Sequence, residues 1–334
     1  MYYYIGLNST NKAKLDIDNI VAGMGFHDVA SNIKETNAVK RFVRKVVTLY
    51  KVYASLQKGD ILLIQYPYKK FFATLCNIAH RKGAKVITII HDLGTFRRRK
   101  LTAEEEIVRL SHADSIIVHN EKMRQWLLEH GMKVPMVNLE IFDYIAEHEN
   151  KQQKSDGKYN NVVFAGSLGQ RKNSFIYDLP TAVTDCQFNI YGPGTLEDEV
   201  LKNDNIRYCG CLPSDEFVCT VQSDWGLVWD GDSIDGCVGI WGSYLKINNP
   251  HKTSCYLRAG LPVIVWKESA MADFVISNNV GIAVNSLSEL NNILPSITVQ
   301  QYEELKRNVN VICKRLNDGY YFKTAFNKAE KVIL

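Results

Sequence analysis

Short runs of adjoining apolar residues alternate along this chain with longer stretches whose apolar residues return every three or four positions. In the first half the short runs are Tyr2–Leu7, Asp60–Tyr66, Lys85–His91, Ser115–His119 and Met136–Ile141. They are apolar almost throughout, which predicts parallel strands buried on both faces. The stretches between them, Asn11–Gly23, Ala38–Gln57, Phe71–Lys82 and Glu121–His130, predict helices. In the last of these Met123, Leu127 and Leu128 form the apolar stripe and Gly131 marks the stop. The alternation resumes with strand candidates Asn161–Phe164, Gln187–Tyr191, Ile206–Cys209, Trp225–Trp229, Leu261–Trp266 and Gly281–Val284. The end, Val299–Leu334, predicts two helices broken near Asp318-Gly319.

Such alternation predicts an α/β fold with parallel sheets. Glu147–Asn160 has almost no apolar residue and reads as a linker. The economical architecture is two doubly wound, Rossmann-like domains facing across a cleft, residues 1–150 and 151–317, with ligands at the carboxyl ends of the strands.

Composition narrows the function. The 334 residues are 46% hydrophobic and 23% charged, which suits a soluble globular protein. With 40 Lys+Arg against 36 Asp+Glu, the chain is neither a polycation nor an acidic disordered tail. The charge is uneven: residues 1–150 hold 22 Lys/Arg against 16 Asp/Glu, and the remainder 18 against 20. Met1–Leu7 lacks the basic and apolar regions of a secretory signal, and no run approaches a membrane span, so the chain reads as cytoplasmic with reduced thiols. Eight cysteines occur without a CxxC pair. Cys209, Cys211, Cys219 and Cys237 therefore read as buried cysteines and not as a zinc site.

Three segments carry candidate chemistry. In Asn249-Pro-His-Lys-Thr-Ser-Cys-Tyr-Leu-Arg-Ala-Gly-Leu-Pro-Val-Ile264, Pro250 suits a helix start and Gly260 a helix end. The N-terminus of this helix, with Lys252, Thr253 and Ser254 in its first turn, is a place for a diphosphate. A capped structural helix with a solvated lysine is the competing reading. Phe164-Ala-Gly-Ser-Leu-Gly-Gln-Arg-Lys-Asn173 runs from a strand through Gly166 and Ser167 to the cations Arg171 and Lys172, and glycines there let phosphate approach the backbone. It is neither a P-loop nor GxGxxG. In Ile190-Tyr-Gly-Pro-Gly194 a strand ends in a tight turn, and Tyr191 is placed to stack on a base or simply to close the turn.

Taken in this order, the three segments resemble the C-terminal half of GT-B glycosyltransferases. The closer similarity is to the β-1,6-galactofuranosyltransferase-like group, which includes glucosyltransferases acting on serine-rich adhesins. It is carried by Ile90-His-Asp-Leu93, Asp224-Trp-Gly-Leu-Val-Trp229, Lys252 and Leu257-Arg-Ala-Gly-Leu-Pro-Val-Ile-Val265. The resemblance implies transfer of a hexose (galactofuranose, glucose or galactose) from a UDP-sugar co-substrate to a hydroxyl of a growing surface glycan on lipid or protein, with no metal and no cofactor. Lys252 and Lys172 or Arg171 would hold the diphosphate, with Asn249, Thr253 and Ser254 beside it, and Ser9 and Thr10 would face the donor from the first domain. The last segment, 318–334, would cross back to that domain. The Glu-x7-Glu element of many retaining GT-B enzymes is missing after Glu268, which leans toward inversion. Inversion needs a base for the acceptor hydroxyl, and Asp92, with His91 as rival, is the candidate.

Other readings stay open. Asp230-Gly-Asp232 spells the DxD that holds a metal in GT-A enzymes. The run Phe96–Lys100, with Lys40, Arg41, Arg44 and Lys45 on one predicted helix, offers a solvated face or contact with anionic lipid; no motif accompanies it that would read nucleic acid. A non-catalytic GT-B-like subunit binding a glycan or partner, a nucleotide-sugar epimerase, and a homo-oligomer are the remaining alternatives.

Overall fold

The structure, a computed structural model, describes every residue except Asn8, 34–36, Lys69, 98–99 and 151–156, and gives only the backbone of Arg97, Gln170 and Arg171. Part of the linker, most of the basic run at 96–100 and the side chain of Arg171 thus lie outside the described residues.

The chain divides into two compact units, Met1–Asp143 with Gly319–Leu334, and Tyr144–Asp318. Unit 1 holds a six-stranded parallel sheet of β1 (Tyr2–Tyr4), β2 (His27–Asp28), β3 (Ile61–Tyr66), β4 (Lys85–Ile90), β5 (Ser115–Val118) and β6 (Met136–Asn138), in the order β2-β1-β3-β4-β5-β6. The short edge strand β2 lies in a stretch whose sequence predicts no strand. Unit 2 holds β7 (Asn161–Ala165), β8 (Gln187–Tyr191), β9 (Ile206–Tyr208), β10 (Trp225–Val228), β11 (Val263–Trp266) and β12 (Gly281–Val284), in the order β12-β11-β10-β7-β8-β9. Every pairing is parallel. The runs are largely apolar because both faces are covered: all six residues of β3 and all four of β10 and β11 are buried.

Strand order places the ligand sites. A doubly wound sheet opens a crevice where the winding changes direction, beyond the carboxyl ends of the two central strands. In unit 1 that point lies between β1 and β3, and in unit 2 between β7 and β10.

The helices end where local chemistry stops them. Asn120 Oδ1 accepts from Met123 N at 2.9 Å and caps the helix Glu121–Glu129. Gly319, at φ 69°, separates Val299–Asn317 from Tyr320–Ile333, and Asp143 accepts hydrogen bonds from Tyr321 N and Phe322 N at the start of the second of these.

The helix α2 (Ala38–Ser55) departs from its predicted orientation. Its cations do not share an outward face: Arg44 is buried, with Nη2 donating to Gly6 O and Nε to Ser31 O, both at 3.2 Å. Arg44, Thr48 and Val52 face the unit, and apolar side chains face away from it. Among the cysteines, Cys237 is buried as expected, but Cys211 is exposed and Cys209 and Cys219 are partly so, because they lie beyond strand ends and on an outer helix; all eight thiols are free.

Candidate active site

In unit 2 the strand order brings together groups far apart in sequence. β7 ends at Ala165 and runs into Gly166 and Ser167; β10 ends at Val228 and runs into Trp229 and Asp230. The helix His251–Arg258 starts beside them, with Pro250 as its N-cap residue at the helix start the sequence suggested. Tyr256, Leu257 and Ala259 are fully buried, so this helix is fixed by its packed face. The Tyr256 hydroxyl accepts from Ala165 N at 2.7 Å, tying the helix to the end of β7.

Lys252 is thereby aimed at the switch point. Its Nζ donates to Asp230 Oδ1 at 2.7 Å and to Trp229 O at 3.1 Å, and lies 4.3 Å from the centre of the Phe164 ring. Lys172 Nζ reaches the same carboxylate oxygen at 3.5 Å and lies over Trp241. Two ammonium groups thus share one carboxylate and leave a surplus positive charge at the switch point. The Lys252 side chain keeps only 15% of its surface exposed. Burial pulls its pKa down to about 8, against the upward pull of Asp230.

The glycines here serve close approach. A Cβ at Gly166 would meet Phe164 Cζ at 3.0 Å and Lys252 Cε at 3.3 Å. At Gly192 the backbone has φ 144°, and a Cβ would come within 1.7 Å of Gly166 O. The YGPG turn therefore presses on the Gly/Ser turn of β7.

Other site candidates of this unit lie differently. Thr253 and Ser254 are buried, so their hydroxyls do not face solvent beside Lys252, and Asn249 is buried just before the helix. The Tyr191 ring packs edge-on against Phe217 at 5.2 Å. Of the DxD pair, Asp230 is engaged by the two lysines and Asp232 accepts from Ser174 Oγ at 3.3 Å. No cluster of three or more metal-ligating side chains occurs among the described residues. Glu268 pairs with Lys246 at 2.7 Å on the surface.

Unit 1 has a cavity of about 330 Å³ at its own switch point, where Gly6, Ser9 and Tyr68 meet Lys14, Arg41 and Lys45. Ser9 Oγ also accepts from Asn11 N, and Thr10 is exposed. His91 and Asp92 follow β4. Asp92 is half-buried, and the His91 ring stacks on Phe142 with centroids 5.3 Å apart. His91 Nε2 is 2.7 Å from Gln65 Oε1.

Sequence reasoning missed the group that sets this histidine. Gln65 Nε2 donates to Asp18 Oδ1 at 2.6 Å and to Lys14 O at 3.3 Å. Both partners are acceptors, so the amide must present its NH2 to them and its oxygen to His91. Nε2 of His91 then carries the hydrogen, and Nδ1 is the basic nitrogen. Asp18 in turn accepts from Leu7 N, and burial raises its pKa to about 6. A polar residue inside the apolar run Ile61–Tyr66 was the available signal. His119 is structural: Nε2 donates to Ile90 O, and burial holds its pKa down to about 4.

Two Rossmann-like units, with a lysine pair at the switch point of the second, form the organisation of a GT-B glycosyltransferase. The chain belongs to the glucosyltransferase 3-like family: the family's N-terminal domain matches residues 3–141 and its C-terminal domain residues 162–329. It is 31% identical over 307 residues, 89% of either chain, to the β-1,6-galactofuranosyltransferase WbbI of Escherichia coli K12. It is 25% identical to glucosyltransferase 3 of Streptococcus gordonii, over all of this chain and 98% of that one. Among solved structures, the outer-core galactosyltransferase WaaB shares the fold at TM-score 0.62 and 12% identity, covering 100% of this chain and 99% of its own. Anabaena HepE, solved with UDP and glucose, does so at 0.58 and 11%, covering 99% and 98%. The protein is a glycosyltransferase.

Proposed function

We propose that this glycosyltransferase moves a hexose, with galactofuranose ahead of glucose and galactose, from a UDP-sugar to a hydroxyl of a glycan acceptor carried on lipid or protein, with inversion and without a metal. The observation that carries the donor assignment is the convergence of Lys252 and Lys172 on Asp230 at the β7/β10 switch point. Galactofuranose rests on the 31% identical relative, whose name specifies it together with a β-1,6 linkage; made from an α-linked nucleotide sugar, a β linkage is inversion. UDP is the nucleotide found in HepE, which has the same fold.

In this reading the β-phosphate displaces Asp230 from the ammonium groups. The acceptor oxygen bonds to the anomeric carbon as the bond from that carbon to the phosphate oxygen breaks. The acceptor's proton passes to the general base, and the electron pair leaves on UDP, where Lys252 stabilises it. Asp92, half-buried after β4, is the candidate for that base, with His91, whose Nδ1 is buried, as its rival. Ser167 precedes the short helix Gln170–Asn173 that carries Arg171 and Lys172, and Ser9 lines the unit 1 cavity.

The test is a panel of UDP-sugars, scored for donor hydrolysis and for transfer, with and without EDTA. UDP-galactofuranose turned over in EDTA supports the reading. No turnover of any UDP-sugar would sink the donor assignment, and activity lost in EDTA and restored by a divalent cation would sink the metal-free one. Asp92→Asn retaining near-normal kcat would move the base to His91.

A further inference from the structure

Helix α2 is amphipathic in the inverted sense. Its polar side docks it: besides the Arg44 contacts, Ser31 N donates to Thr48 Oγ1 at 3.1 Å and Lys51 Nζ to Ala30 O at 2.8 Å. Its outward side carries Val39, Phe42, Val43, Val46, Tyr50 and Tyr53, at the three- and four-residue spacing of a single helix face. Each is exposed, from 42% for Val43 to 71% for Val39 and Tyr50. Six large apolar side chains in one stripe over 15 residues are more than the scattered apolar exposure of an ordinary surface.

Cations rim the stripe. Lys70 Nζ lies 5.1 Å from the Phe42 ring centre, and Lys82 Nζ 4.8 Å from that of Tyr53. Lys40 is exposed on its flank. The helix has five Lys/Arg and no Asp or Glu, and the neighbouring helix α3 (Phe72–Arg81) has no Asp or Glu either.

We propose that α2 docks unit 1 on an anionic lipid surface, with its apolar stripe in the interfacial layer and its lysine rim on the head groups. This is the side-chain arrangement of an interfacial helix, in which apolar burial and attraction to anionic lipid act together. The charge pattern selects the occupant. A second copy of this chain on the same face would set lysines against lysines with no carboxylate on either helix to compensate. The inference concerns unit 1 alone and holds whatever sugar unit 2 transfers.

The experiment is flotation of the full chain with vesicles of phosphatidylcholine alone and of phosphatidylcholine mixed with phosphatidylglycerol. The expected result is flotation with the mixed vesicles, weakened by salt, and little with phosphatidylcholine alone. The triple variant Val39→Ser, Val46→Ser and Tyr50→Ser, all exposed positions, is expected to lose at least tenfold in partitioning while its circular dichroism and UDP-induced thermal shift match wild type. Absence of wild-type flotation with anionic vesicles, or equal flotation of a folded triple variant, would overturn the proposal. Dimerisation in sedimentation velocity that the same substitutions abolish would overturn it in favour of a second copy. Loss of UDP binding with flotation intact would count against the donor assignment alone.

Discussion

Replacing Lys252 with methionine tests the donor site most sharply. Methionine keeps an unbranched stem against Phe164 and beside Gly166 and removes the charge. The fold is expected to survive, because Asp230 retains Lys172 at 3.5 Å and a buried ammonium's desolvation cost disappears with it. A hydrogen bond from a charged donor contributes about 1.5–3 kcal/mol, so UDP affinity should fall about 10- to 150-fold. The depressed pKa adds a second signature. With the free lysine titrating at about 8, only about one molecule in ten carries the charge at pH 9, so wild-type affinity should weaken roughly tenfold between pH 7 and 9. In the methionine variant that slope should vanish. Isothermal titration with UDP at pH 7, 8 and 9 measures both quantities. A folded variant within about twofold of wild type at pH 7, or a wild type whose affinity does not change with pH, would refute the reasoning.

Three further outcomes follow from particular contacts. Gly226→Ala would place a Cβ 2.2 Å from Tyr256 Cγ, and overpacking of this kind costs about 1–3 kcal/mol; urea denaturation should show it, together with weaker UDP binding as the Tyr256–Ala165 tie is disturbed. Gln65→Leu removes the acceptor facing His91 and the amide donor facing Asp18, and leaving such buried polar groups unpaired costs about 1–3 kcal/mol, a loss that urea denaturation should show. Burial raises the Asp143 carboxyl from 3.8 to about 7, so between those values the folded state binds the extra proton. Stability should therefore fall as pH rises through this window, by up to about 1.4 kcal/mol per unit from this group. Asp143→Asn should flatten that slope in denaturant titrations at pH 5, 6, 7 and 8.

How legible the protein was in its sequence depended on how local each feature is. The strands β3, β4, β10 and β11 could be read because a strand covered on both faces is apolar at most positions, and that information lies within a few adjoining residues. The helix His251–Arg258 could be read from Pro250 and Gly260 for the same reason. The glycines at 166 and 192 were legible as turn residues, but their mutual contact was not, since it joins two strands. Lys252 was singled out from its helix, whereas its partner Asp230 was read as half of a metal motif. The two lie 22 positions apart and meet because the helix His251–Arg258 packs back against β10.

The sequence by itself determined the alternation of elements, the two units and the cations available for phosphate, because hydrophobic periodicity and turn chemistry act over short distances along the chain. Tertiary structure decided what those residues face. It turned Arg44 of α2 inward and the helix's apolar stripe outward, oriented His91 through Gln65 and Asp18, and closed Thr253 and Ser254 from solvent. The physical reason is common to all three: burial and hydrogen-bond partnership are set by which elements pack together, and that is fixed by strand order, not by distance along the chain.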